Sequence, residues 1–460
     1  MKIENKNKAK GLLLTLLCLV AVGCTQVIGS DESNGSASLG EQTSSQGSFV
    51  STQSSYTPTI ATETTSSSSS GLDTTVSSTL QSEFPSVEDT LAPDITYTTT
   101  STTKVTTKTT AKTTTATTKA TTKATTTTST TAATTYTPPS NGNGYTAVNY
   151  KEMKAVWIAF LEYDTMLKGK SESQFTANIG KAFDNAVDMG LNTVIVHVRA
   201  HGDAYYESEL FPWASRVTGT TAKAPSFDPL EIMVQQAHNR GLSIHAWINP
   251  FRVMEDSKIT SVPDKYPIGA WYGDSSKNGT YLVKVKTNGV DFWYLNPAYP
   301  EVRKLIADGV SEIVSKYDID GMHIDDYFYP TTDNSFDNVA FTASGHKVRS
   351  SWRMENVSSA VKGIYDAVKA ANKSVMFGVS PQGNIENNYN NMYADVKKWC
   401  STTGYLDYIA PQIYYGFQNK YKPYAQTVKD WDEIITAPNI KLIVGLAAYK
   451  IGGTTDEWGS

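Results

Sequence analysis

The sequence predicts an α/β protein whose folded part is a (β/α)8 TIM barrel. Seven short apolar runs recur between Lys154 and Lys450, with amphipathic stretches of helical period between them. No glycine-rich dinucleotide fingerprint follows any of the runs. Strict strand–helix alternation builds a parallel sheet, and without a nucleotide-binding turn it favours a barrel over a doubly wound sheet. A third observation bounds the barrel: composition changes abruptly at Tyr150, so residues 150–460 read as globular and those before do not. Seven strands are countable before Ser460, so the expectation is a barrel truncated after its seventh strand, with raw sheet edges exposed.

The chain opens with a lysine-rich stretch and then an apolar run from Gly11 to Gly23, the n-region and h-region of a secretory signal. That run is too short to span a bilayer stably. It ends in "AVGC", which resembles a bacterial lipobox and makes Cys24 the expected lipidation site. Residues 1–24 are therefore expected to be a lipoprotein signal, placing the protein on the outer face of a bacterial cell membrane. Residues 25–149 read as a disordered Thr/Ser-rich tether, because aromatic and branched aliphatic residues are too sparse to offset the entropy of ordering. A coil of about 125 residues spans roughly 60 Å, a length suited to work within a cell wall. Of the three cysteines, Cys18 lies in the signal, Cys24 would carry lipid, and Cys400 reads as a small buried apolar residue. A net charge of −5 points to neither nucleic acid nor a strongly charged substrate.

The strand-like runs are "KAVWIAFLEY", "NTVIVHVRA", "LSIHAWINPF", "DGMHIDDYF", "SVMFGVSPQ", "LDYIAPQIYY" and "KLIVGLAAYK". Helical stretches such as 175–190, 228–241 and 300–317 separate them, two of them closing on Gly190 and Gly241. Asp320 and Gly321 read as the tight turn into the fourth strand, and Asp407 as structural at the bottom of the sixth. Side chains alternate faces along a strand. Four strands then show one apolar face and one that turns polar towards the C-terminal end, carrying His197 and Arg199, His245, Trp247 and Asn249, His323 and Asp325, and Gln412 and Tyr414. Polar groups gathered at the C-terminal mouth of a barrel describe an active site.

Carboxylates cluster there too: Asp325 points into the mouth, Asp326 sits at its rim, and Glu162 and Asp203 follow the first two strands. Two carboxyl groups whose environments push their pKa values apart are what glycosidic hydrolysis requires. These four are the catalytic candidates. Trp157, Trp247, Tyr327 and Tyr414 supply faces for sugar rings, while Arg199, Arg252, His245, His323, Asn249 and Gln412 supply hydrogen bonds. The two arginines could equally hold carboxylates in place.

The motifs "KAVWIAFLEYDT", "LNTVIVHVRAHGDAYYESELFPWASRVTGT", "FDPLEIMVQQAHNRGLSIHAWINPFRV", "IDGMHIDDYFYP", "FGVSPQGN" and "LDYIAPQIYYGF" together resemble the glycosyl-hydrolase-like family 10, collinearly over residues 151–455. The resemblance implies a TIM barrel, a bacterial envelope location and hydrolysis of a cell-wall or related glycan, peptidoglycan strands first. The family's "DALYPS" stands here as "DAYYES", which carries over Asp203 and Ser208. Where some members have Pro and an acidic residue just ahead, this chain has Ala200 and His201, so an acid in that place would be replaced here by another group. The DGxxID pattern also resembles chitinase-type barrels, but their catalytic Glu falls at Tyr327. No cofactor or metal is expected. Two rivals stand beside the hydrolase: a barrel that grips glycan without cutting it, and a metal-dependent hydrolase or deacetylase built on His197, His201, His245 and His323.

Overall fold

The computed structural model describes residues 21–23 and 145–451. Cys24, the expected lipidation site, and nearly all of the expected signal and tether lie outside those residues. The second described stretch begins at Tyr145, five residues ahead of the change in composition.

The main sheet contains β1 (Ala21–Gly23), β2 (Ala155–Ile158), β3 (Thr193–Arg199), β4 (Ser243–Ile248), β8 (Gly321–Ile324), β9 (Met376–Val379), β10 (Tyr408–Ile409) and β11 (Lys441–Leu442). From β2 onward its seven strands are parallel and in sequence order, while β1 pairs antiparallel with β2. Among the described residues no ladder joins β11 to β2, so the sheet is a curled, open barrel. It nevertheless curls far enough for its two ends to meet. Met153 beside β2, Ala155 of β2, Ile195 of β3, Tyr408 of β10, Ala410 beside it and Ile443 beside β11 share one buried interior cluster.

The helices cover the outside. Helix Glu172–Asp188 begins with a capping box between Ser171 and Gln174, and helix Pro229–His238 with an Asp228 cap followed by Pro. Their apolar stripes and those of helices Pro300–Lys316 and Arg349–Ala371 bury the outer, apolar face of the sheet, including Val194, Val196, Val198, Ile244, Ala246, Ile248, Met322 and Ile324. The alternation read from the sequence therefore sorts these residues correctly between helix side and interior.

Two features go beyond the alternation. Between β4 and helix Pro300–Lys316, the chain builds a small antiparallel sheet from β5 (Arg252–Glu255), β6 (Leu282–Thr287) and β7 (Val290–Leu295). Asn288 and Gly289 turn the β6–β7 hairpin with positive φ at both positions, as a tight hairpin requires. The floor of the barrel is the second. Residues 145–150 cross it, with Tyr150 donating to the Gly241 carbonyl, Asn149 to the Ser374 carbonyl and Tyr145 to Asp320. Asp320 is thus a fully buried carboxylate holding the chain across the bottom, not the simple turn residue expected of it.

Candidate active site

Inside the barrel, beneath the mouth, a line of polar rings runs from β2 to β4. The Trp157 indole N–H donates to Nε2 of His323 at 3.0 Å. Nδ1 of His323 lies 2.8 Å from the Tyr408 hydroxyl, which lies 2.9 Å from Nδ1 of His245. An indole nitrogen only donates, so it fixes every proton after it. His323 accepts on Nε2 and carries its proton on Nδ1; Tyr408 receives that bond and donates onward to His245. Burial holds His323 well below the usual histidine range and lowers His245 to about 4, so both rings are neutral at pH 7. Glycines make the space: a Cβ on Gly378 would stand 1.9 Å from the Tyr408 ring, and one on Gly321 would stand 2.4 Å from His245.

Above this floor, β8 ends in Asp325 and Asp326. Their loop is held from behind by Phe328 against Trp399 and by Tyr329, whose hydroxyl bonds Asp337 within the buried Asp337–Arg353 ion pair. Asp325 is buried, and its carboxyl is pushed well above the usual range, first by burial and then by the Asp326 charge. The Tyr327 N–H, the Arg252 guanidinium and the Trp247 indole pull the other way. Asp326 is half-buried. Both carboxylates are felt by Tyr414 on the far side, where they add to burial in raising its hydroxyl.

The inserted antiparallel sheet brings Arg252 to this place, 4.6 Å over the Tyr327 ring and 5.2 Å over Phe292. Trp247 lies flat on His197, ring centroids 3.7 Å apart, and Nε2 of His197 bonds Asn249 Oδ1 at 3.1 Å. Asn249 spends its amide N–H on the Ala200 carbonyl, so it accepts from His197 and fixes that tautomer as well. Gln412 is turned partly away, donating to the Ser380 carbonyl at 3.1 Å.

A second group of residues follows β2 and β3. Phe160 packs edge-on against His197 and His201, and the Arg216 guanidinium lies 4.8 Å over its ring. Two residues on, Glu162 is half-buried with Oε1 unbonded among the described residues, and burial raises its carboxyl to about 7. Asp203 is raised by burial too, but its Oδ1 accepts from the His201 N–H at 3.0 Å and so stiffens its own loop. Arg252 lowers the proton affinity of His197 and His201 and of Asp325 alike, which makes it the neighbour shared by the two groups.

The structure thus gathers Asp325, Asp326, Trp247, Arg252, Tyr327 and Tyr414 about one mouth, with Trp157 and His323 below. Arg199, expected among them, is elsewhere. A bulge between His197 and Arg199 shifts the register against β4 by one residue and turns Arg199 to the helix side. There its guanidinium lies 4.0 Å over Phe211 and against Gly309 of helix Pro300–Lys316. His245 and His323 are also corrections: both are fully buried, His245 with Nδ1 committed to Tyr408 and His323 with both ring nitrogens committed, too deep to meet a ligand. Ser208 faces the same helix as Arg199, donating to Glu312 at 2.5 Å. Asp407 is structural as expected, accepting from the Phe377 N–H and Lys369. Among the described residues no three His, Cys, Asp or Glu side chains are placed to hold a metal ion. Sequence reasoning missed Tyr408, the hinge of the floor, although it shares the parity of Gln412 and Tyr414.

The family described as Glycosyl hydrolase-like 10 matches over residues 152–458. Glycosyl hydrolase YngK of Bacillus subtilis is 34% identical over 330 residues, which cover 66% of this chain and 62% of that protein. Glycosyl hydrolase DigH of Escherichia coli K12 is 30% identical over 352 residues, 69% of this chain and 78% of that protein. The chain belongs to the glycosyl hydrolase-like 10 family.

Proposed function

We propose that this family member hydrolyses O-glycosidic bonds in a cell-wall glycan, peptidoglycan strands above all, with Asp325 and Asp326 as its acid pair. The observation that carries the proposal is a buried Asp325 carboxyl, raised by burial and by its ionised neighbour, at the C-terminal mouth of the barrel. Cleavage needs one carboxyl that still holds its proton and one that has lost it. Burial and like-charge repulsion make Asp325 the former, and the more exposed Asp326 the latter. Asp325 passes its proton to the glycosidic oxygen as the bond to the anomeric carbon breaks. Asp326 takes the electron-deficient anomeric carbon directly, or takes a proton from the water that attacks it. Arg252 holds the pair's charge in place, and Trp247 and Tyr414 offer ring faces to the sugar. Glu162, whose carboxyl burial raises to about 7, is the reserve proton donor.

The leader and the threonine-rich segment support the accompanying proposal that the barrel is tethered by lipid at Cys24 to the outer face of the bacterial membrane, within reach of wall glycan. The test is release of reducing ends from purified, peptide-free glycan strands. Asp325→Asn should lower the rate by about 10²–10⁴-fold with the thermal melt unchanged. A fully active Asp325→Asn protein would move proton donation to another residue, and strand binding without any release would make the barrel a lectin.

A further inference from the structure

One sector of the rim exposes aromatic rings that the core does not use. Tyr389 is 41% exposed, Phe417 70%, Tyr421 81% and Tyr449 55%. All four follow the C-terminal ends of neighbouring strands: Tyr389 on helix Ile385–Asn390 after β9, Phe417 and Tyr421 on the loop after β10, and Tyr449 on the turn Ala448–Lys450 after β11. An ion pair of 2.7 Å between Lys422 and Glu386 fastens the loop to that helix, putting Tyr421 and Tyr389 on one ridge. Asn419 Oδ1 accepts from the Tyr421 and Lys422 N–H groups at 3.0 and 2.8 Å, and Tyr424 props Phe417 edge-on at 5.0 Å. The rings are therefore presented on a braced loop.

This ridge is continuous with the mouth. The Tyr449 ring meets Tyr414 at right angles, 6.1 Å between centroids, and Tyr414 is the residue that feels both Asp325 and Asp326. Scattered exposed aromatics are ordinary, but several on one ridge leading from a pair of acids mark a binding surface. The ligand it suits has flat apolar faces edged by hydroxyls, repeated along a chain. Pyranose units have that form, with faces to lie on the rings and hydroxyls for the polar side chains of Gln418, Asn419 and Lys420, which stand between Phe417 and Tyr421 in the loop.

We propose that the β9–β11 rim is a distal binding surface for sugar units of a long glycan, several units away from the bond at Asp325. The inference rests on the glycan-hydrolase reading and adds that the preferred substrate is an extended strand, gripped along its length, over a short fragment.

The test uses peptide-free glycan strands of graded length, from about three units to more than about ten. Affinity is measured on protein carrying Asp325→Asn, and turnover on the unsubstituted acid pair. Phe417→Ala with Tyr421→Ala should weaken binding to long strands by about 5- to 10-fold, roughly one aromatic contact, and leave short fragments unaffected. Both side chains are exposed, so the fold should survive, and Tyr449 is left intact because it touches Tyr414. Equal loss on short and long strands, no loss on either, or no length dependence before substitution would overturn the inference. Cleavage of all strands with unchanged affinities would sink the rim and spare the hydrolase. Length-dependent binding lost in the double variant, without any cleavage, would do the reverse.

Discussion

Asp320 offers the most direct test of how the barrel is held together. Its carboxylate is fully buried at the bottom of β8, yet four donors converge on it. Oδ1 accepts from the Tyr145 hydroxyl at 2.6 Å and the Val148 N–H at 2.5 Å, while Oδ2 lies 3.0 Å from His238 Nε2 and accepts from the Ile244 N–H at 2.8 Å. Asp320→Ala removes every one of these bonds at once. Val148 and Tyr145 are only partly buried, so water can replace the lost acceptor for them. The Ile244 N–H is buried and cannot be satisfied that way, and His238 is nearly so. A stranded buried donor costs about 1–3 kcal/mol, and breaking a buried charged network typically costs 3–5 kcal/mol. For a domain of this size each kcal/mol moves Tm by about 2–4 °C, so the loss should be roughly 6–20 °C. Differential scanning calorimetry reads it directly. Tyr145→Phe removes one bond of the four and should cost about 1 kcal/mol, and its effect should largely vanish on an Asp320→Ala background. An Asp320→Ala protein melting within 2 °C of the parent, or a Tyr145→Phe cost that persists without Asp320, would refute the view that this carboxylate fastens residues 145–150 to the barrel.

Three further outcomes follow. Glu162 has a folded-state pKa of about 7 against an ordinary glutamate value of 4.5, so between those values the folded chain keeps a proton that the unfolded chain releases. Stability is therefore lost as pH rises through that window, and Glu162→Gln should be neutral at pH 4 and stabilising by about 1 kcal/mol at pH 8, after allowance for solvent screening of a half-buried group; a flat difference in melts across pH would contradict it. His323→Gln keeps an acceptor for the Trp157 indole and a donor for Tyr408 and should stay within about 1 kcal/mol of the parent, whereas His323→Leu strands both and should cost about 2–4 kcal/mol; equal urea midpoints for the two would dispose of the fixed proton order beneath the mouth. Gly378→Ala drives a Cβ into the Tyr408 ring, and the chain should unfold or lose more than about 3 kcal/mol in a urea titration; a mild effect would mean that Tyr408 has room to move.

What the sequence revealed, and what it hid, divides along physical lines. Period-two alternation placed Val194, Val196, Ile244 and Met322 under the helices and His197, Trp247 and His323 inside, because a strand's faces are fixed by local geometry. Arg199 defeats that count. One residue of bulge reverses every later side chain, and nothing in "HVRA" announces it. Asp320 was misread because its partners are 76, 82, 172 and 175 positions away, where no local pattern can point. Other signals were present and unused. "VKTNGVDFWY" alternates about an Asn-Gly turn and so announces the β6–β7 hairpin that delivers Phe292 beside Arg252. Gly321 and Gly378, each inside a strand, announce a close approach of something large, which proved to be His245 and Tyr408.

The four interior and mouth histidines bear on the acids above them through what they do not carry. A histidinium under the mouth would draw the proton off Asp325 and leave two ionised carboxylates side by side. Burial prevents this, because the same dry interior that raises Asp325 holds His197, His201, His245 and His323 below their usual range. The field at the acids is then set by near neighbours: Asp326, which favours the proton on Asp325, and Arg252, which opposes it. The aromatic floor contributes shape and fixed dipoles without net charge, since each of its protons is ordered from the Trp157 indole downward. The proposed acid and base roles need different protonation states in neighbouring carboxyls, and a barrel interior lined by neutral, mutually bonded rings adds no mobile charge that would oppose them.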